Sequence, residues 1–163
     1  MTPSRRAALA TGTLLLVALV AVLVADAARP ALTGDVLAAV ADAPGRLAVG
    51  ALCYLLAAGT SVGIAIALYP VLRPTAPGLA LAAVVFRTIE ASFYIVAVVA
   101  LLGLRPLAEA LRAGASDETA TLRLLADALL AGRGHATVVG VVAFVVGAAC
   151  YYTVLYRARL VPR

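Results

Sequence analysis

Lysine is absent from the sequence, histidine occurs once, cysteine twice, and charged residues of both signs make up only 13% of the 163 residues. Each scarcity excludes something. With so little charge, 64% hydrophobic residues and a mean hydropathy of +1.08, the chain is too apolar for an ordinary soluble domain, and a membrane is its natural solvent. The lone His135 sits beside Gly134 with no metal-ligand spacing around it, so it reads as an interface residue and no metal site is expected. Cys53 falls about 10 Å below one membrane surface and Cys150 lies nearer the other, so no disulfide is expected between them. There is no glycine-rich phosphate loop, nucleophile elbow or zinc motif, and the expectation is a protein with neither enzyme activity nor cofactor.

What the chain does have is long apolar runs. A spanning helix needs roughly 20 mostly apolar residues, and four stretches supply them, at about 7–25, 47–72, 79–104 and 136–156. The predicted fold is all-α, a four-helix membrane bundle forming one domain over residues 1–163. The first run has a rival reading as a signal peptide. Arg5 and Arg6 precede it, Ala25-Asp26-Ala27 would suit a signal peptidase, and Ser4-Arg5-Arg6 hints at a twin-arginine signal. A signal core usually holds about 7 to 15 residues and this run is about 19 long, so it reads as a retained helix.

All thirteen basic residues are arginine and the net charge is +5, which on its own would suit an anionic partner such as nucleic acid. Their placement argues against nucleic acid and for the lipid bilayer. Arg5, Arg6, Arg73, Arg157, Arg159 and Arg163 crowd into three short segments without an acid. The other connectors spread six arginines over longer stretches with Asp26, Asp35, Asp42, Glu109, Asp117, Glu118 and Asp127. Arginine density in short loops marks the cytoplasmic side, so both termini are expected there.

The two outer connectors carry helical signals. Val36, Leu37 and Val40 recur at helical spacing before Pro44-Gly45, and residues 106–112 run up to Gly114. Ser116, Asp117 and Glu118 then suit the first turn of a helix, with Leu122, Leu125 and Leu129 as its stripe. These amphipathic pieces are expected to lie on the outer membrane surface or to cap the bundle. The order span, outer helix, span occurs twice, so the chain can be read as two similar hairpins. The likeness of 48–73 to 136–159, each ending in a Leu-Tyr and Arg stretch, is loose, because apolar helices resemble one another easily.

Leu68-Tyr69-Pro70-Val71-Leu72-Arg73, the run Phe86-Arg87-Thr88-Ile89-Glu90-Ala91 inside an apolar span, and Leu155-Tyr156-Arg157-Ala158-Arg159-Leu160-Val161-Pro162-Arg163 resemble the bacterial DUF4386 membrane proteins. That resemblance implies a multi-pass topology and no established activity, and it supplies no catalytic residue. Proteins of this kind usually continue past the Val-Pro-Arg segment into further spans. The expectation is therefore a shorter member, a truncated chain, or an end left by an engineered Leu-Val-Pro-Arg cleavage sequence. A missing pair of helices would leave an apolar face open to a second copy or a membrane protein partner.

The sharpest chemical feature is Arg87 and Glu90 within the third span, at depths of roughly 12 and 17 Å in a core about 30 Å thick. Each charge costs about 2.5 to 3.5 kcal/mol to insert, together near 5 to 7, and the fourteen Leu, Ile, Phe and Val residues of 79–104 return roughly 4 to 8. The helix barely inserts alone. Residues three apart share a face, so the two charges can pair, with Tyr94 one turn further along. Counting depth along the antiparallel second span brings Gly59, Thr60, Ser61 and Gly63 to their level, the glycines allowing close approach and the hydroxyls answering charge. On the fourth span the same count brings Tyr151 and Tyr152 near enough to stack on Arg87, while Ala143 and Gly147 are packing residues.

The expected role is a structural or assembly-type bundle in which the Arg87–Glu90 pair fixes helix register. The alternative is a small proton- or cation-coupled carrier using Glu90, because ionisable residues inside membranes mark substrate pathways. A closed bundle favours the first and a cavity reaching Glu90 the second. Topology is open to a direct test in a background lacking Cys53 and Cys150. Asp117→Cys should react with an impermeant external thiol reagent and Arg163→Cys should not, and the reverse pattern would overturn the orientation.

Overall fold

The computed structural model describes residues 3–114 and 118–158, with side chains from Arg5 onward, so the readings made on Ser116, Asp117 and 159–163 lie outside the described residues. Among the described residues there are six helices and no strand. They are α1 (Pro3–Ala28), α2 (Val36–Asp42), α3 (Pro44–Leu72), α4 (Pro77–Leu102), α5 (Leu104–Arg112) and α6 (Thr119–Arg157). The four long ones are long and apolar enough to cross a membrane.

Local chemistry sets the boundaries. Pro44 and Pro77 stand in the first turn of α3 and α4, where a missing N–H is harmless. Asp35 caps α2 by accepting the Ala38 amide at 3.2 Å, and Gly34 before it takes a positive φ of 76°. Gly114, with φ 89°, closes α5 as its Leu111 carbonyl accepts the glycine amide. Arg46 donates to the Ala28 and Ala27 carbonyls at 2.9 and 3.1 Å, satisfying the end of α1 with a cation.

Each half of the chain is a long helix, a short helix and a long helix. The pairs α1·α3 and α4·α6 pack most extensively, α3 against α4 and α2 against α5 join the halves, and α3 barely touches α6. Small residues make the close contacts. Ala25 of α1 is fully buried, and the Cβ position of Gly50 lies 3.4 Å from its carbonyl oxygen. Leu16, Leu19, Val20 and Leu23 of the same helix point outward into the lipid zone. The four long helices thus form a curved row, α1, α3, α4, α6, with no comparable contact between its two ends.

One end of the row is capped. Leu37 and Val40 of α2, Leu47, Leu101, Leu104 and Ala108, and Leu122 and Ala126 of α6 make one apolar cluster. Exposed ion pairs Arg112–Asp42 and Arg123–Asp35, at 2.8 and 3.1 Å, lie across it. The cap departs from the sequence reading in two respects. The second connector has one separate helix, α5, and its remaining turns are the beginning of α6, which runs through Gly132, Gly134 and His135 without a break. A helix-interior glycine costs only about 1 kcal/mol, less than the interruption would cost in unsatisfied backbone. At 39 residues α6 is therefore about 58 Å long and projects well beyond an apolar core about 30 Å thick.

The inward stripe of that projection is Leu122, Ala126 and Leu129, spaced four and three. Leu125 is off it, 48% exposed against 7% for Leu122. Leu122→Ala should lower stability in detergent by about 2–4 kcal/mol, whereas Leu125→Ala should change it by less than about 0.5. Equal shifts in thermal unfolding would mean that the cap packs through a different face.

Candidate functional site

Halfway along the row, α4 turns its only two charges inward. Arg87 and Glu90 are 5% and 3% exposed, among the least accessible polar side chains described. Arg87 Nη1 donates to Glu90 Oε2 at 2.9 Å and to Ser61 Oγ of α3 at 3.1 Å, and Ser61 Oγ donates to the same Glu90 oxygen at 3.0 Å. Arg87 Nη2 donates to the Tyr151 hydroxyl of α6 at 2.9 Å. The guanidinium carbon lies 4.2 Å from the Phe144 ring centroid and 5.4 Å from that of Tyr151, so two rings of α6 flank the cation. A membrane-buried pair is tolerable only when nearly all of its donors and acceptors are hydrogen-bonded. Two atoms are the exceptions. Arg87 Nε is sealed without an acceptor, and Glu90 Oε1 accepts no hydrogen bond among the described residues, while the Glu90 side chain lines a cavity.

That cavity, about 530 Å³, lies on the concave side of the row and is walled by all four long helices. Its volume is in the range of ligand sites. Arg87, Glu90, Ser61 and Tyr151 mark one region of it, Tyr54 and Arg133 the capped end, and Ala18, Val22, Ala57 and Val98 much of the stretch between. At the capped end the Tyr54 hydroxyl bonds Asp26, which also pairs with Arg29, and the Arg133 guanidinium lies 5.9 Å from the Tyr54 ring.

The site residues read from the sequence divide in two. Arg87, Glu90, Ser61 and Tyr151 meet as a single network. Thr60, though buried, donates back to the Ala57 carbonyl at 2.8 Å on its own helix. Tyr94 lines the cavity and lies against Gly140, whose Cβ position is 3.2 Å from the tyrosine ring. Tyr152 packs on Tyr151 with ring centroids 4.6 Å apart, and only Tyr151 of the two bonds Arg87. Ala143 and Gly147 are buried, and the Gly147 Cβ position lies 3.2 Å from Phe86 and 3.6 Å from Arg87 Cγ.

Gly59 and Gly63 do not serve the α3–α4 contact. Gly63 faces Leu14 of α1, and nothing stands within 4 Å of a Cβ at Gly59. Residues two apart on a helix are about 200° apart around it, so with Ser61 turned toward α4 its neighbours at ±2 face away. Phe144, Tyr54 and Arg133 were not singled out by sequence reading. Phe144 had a usable signal, lying seven residues before Tyr151 and hence on the same face.

Four apolar spans enclosing a polar network define a multi-pass membrane protein. The chain belongs to DUF4386, a domain family of unknown function that matches residues 10–163. No curated protein and no solved structure matches it.

Removing one member of a buried pair strands the other charge, at a cost of about 3–5 kcal/mol, whereas removing both does not. Glu90→Ala should therefore lower thermal stability in detergent more than the combined Arg87→Leu and Glu90→Met change. Equal loss in the single and double variants would show that the two residues do not act as a pair.

Proposed function

We propose that this protein is a small proton- or cation-coupled carrier of the bacterial inner membrane, both termini cytoplasmic, with Glu90 as its coupling residue. The observation that carries this reading is the cavity reaching Glu90. A closed bundle would have kept the pair as a register device alone, but here α1 and α6 lack the packing that joins the other neighbours, and Glu90 lines the space enclosed by the four helices.

The chemistry follows from charge balance. With Glu90 ionised, Arg87 and Glu90 form a neutral pair held by Ser61 and Tyr151. A proton or cation arriving at Oε1 cancels the carboxylate and leaves the guanidinium without its counter-charge in a dry site. An isolated charge there costs several kcal/mol, so the loaded state favours a rearrangement of Arg87 or the entry of a compensating group. Such a two-state element is what coupled transport needs.

Reconstituted vesicles test it. Wild type should move members of a panel of cationic and anionic amphiphiles faster than empty vesicles do, with a rate that responds to an imposed proton or cation gradient, and Glu90→Gln should lose that response. Fluxes in wild type and variant that both match empty vesicles would remove the carrier reading and leave the pair as a register device.

A further inference from the structure

At the capped end of the cavity stands a guanidinium with no direct ion pair among the described residues. Asp26 is committed to Arg29 and Tyr54, and the Arg46 guanidinium to two carbonyls of α1. The guanidinium of Arg133, half-buried on the cavity wall, makes no hydrogen bond or ion pair among the described residues; it lies against the Tyr54 ring, and its charge acts on Asp26 only at longer range. Beside the neutral Arg87–Glu90 pair, Arg133 is the one further charged side chain among the residues lining the cavity, which therefore carries a net charge of +1. A guanidinium held on an aromatic face with its donors unused is a site for a carboxylate or phosphate.

The space leading from it has the shape of a chain. Contacts of Gly103 with Leu129, Gly140 with Tyr94 and Gly147 with Phe86 set the antiparallel register of α4 and α6. That register puts Arg133 level with Ala100, thirteen residues from Arg87, or about 20 Å along the helix. The lining between is mostly aliphatic, including Ala18, Val22, Ala57, Ala97 and Val98. One leaflet of an apolar core about 30 Å thick is about 15 Å deep, so the groove has the length of a single acyl chain. Its side lies between α1 and α6, which have no packing comparable to that of the other neighbours, so lipid in the plane of the membrane would enter there.

We infer that this groove binds an anionic membrane lipid, its phosphate on Arg133 and one acyl chain along the cavity toward the Arg87–Glu90 pair. The inference rests on the carrier reading in one respect: it names that carrier's substrate class. Proton uptake at Glu90 would then free Arg87 as a second anion-binding group along the same path, so that a proton and an anion share the cavity.

Equilibrium binding separates the two ideas. Delipidated protein is titrated with phosphatidylglycerol or phosphatidylcholine of identical chains, and bound lipid is counted by native mass spectrometry. Wild type should retain one phosphatidylglycerol in preference to phosphatidylcholine. Arg133→Gln should weaken phosphatidylglycerol about tenfold, the effect of losing one charge-assisted contact, while Arg123→Gln at the cap should not. Ala57→Phe or Ala18→Leu, each placing bulk in the groove with unfolding temperature checked, should reduce binding of both lipids.

Unchanged phosphatidylglycerol preference in Arg133→Gln overturns the headgroup site. Full lipid occupancy in both groove variants overturns the groove, as does a shift in dimer fraction with no lipid effect, which would give the groove to a second copy. Arg133-dependent binding without any flux would sink the carrier and keep the lipid site. Flux with an Arg133-independent ligand would do the opposite.

Discussion

The contact between Arg87 and Glu90 constrains everything around it. Two charges near the middle of an apolar span nearly cancel the favourable insertion of the helix that bears them, so α4 must enter the bilayer with the pair already neutral and turned inward. That requirement fixes which face of α4 meets its neighbours. It recruits Ser61 from α3 and Tyr151 from α6 as hydrogen-bond partners, and Phe144 as a wall for the guanidinium. Helices α3 and α6 hardly touch each other, so their relative placement follows from what each does for α4.

Small residues decide how closely this can happen. Where α4 meets α6, Gly147 and Gly140 let Phe86, Arg87 and Tyr94 settle against backbone, and Ala83 lies on the same seam. Where α1 meets α3, Gly50 and Gly63 play that part for Ala25 and Leu14. Packing of this kind stabilises membrane helices through van der Waals contact, because lipid removes the hydrophobic driving force between them. It also limits the depth of each contact to one face of each helix. A row of four helices joined by three such seams closes only if the end helices pack on each other, and among the described residues they have no comparable contact.

The class of fold was legible because a bilayer leaves few choices. Runs of roughly 20 apolar residues must be helices, and the spans at 47–72 and 79–104 fall within two residues of a helix end at most boundaries. The network was legible wherever depth and face could both be counted. Residues three apart placed Arg87 with Glu90, and antiparallel depth counting found Ser61 and Tyr151. Depth without face misled, as Gly59 and Gly63 show, because neighbours in sequence at one level point to opposite sides. Continuity of α6 was hidden by Gly132 and Gly134, which look like a boundary but cost less than breaking the helix. The capped end was hidden for a different reason: Tyr54, Asp26 and Arg133 belong to three helices and have no spacing rule in common.

The opening itself has a topological origin. The chain repeats long, short and long helices, and both halves start at the same end of the row, so a two-fold arrangement along the membrane normal would relate α1 to α4, α2 to α5 and α3 to α6. The α2–α5 contact would then lie on the axis, and the α3–α4 contact would have a twin between α6 and α1. That twin is missing. The halves differ chemically at that point, since α4 carries a charge pair that pulls α3 and α6 toward it, while the equivalent stretch of α1 is apolar and faces lipid along Leu16, Leu19, Val20 and Leu23. One polar network therefore closes one side of the row and nothing comparable closes the other. The cavity beside Glu90 is the space left by this asymmetry, walled by protein on the charged side and open on the apolar one, which is the arrangement a group entering from the bilayer requires.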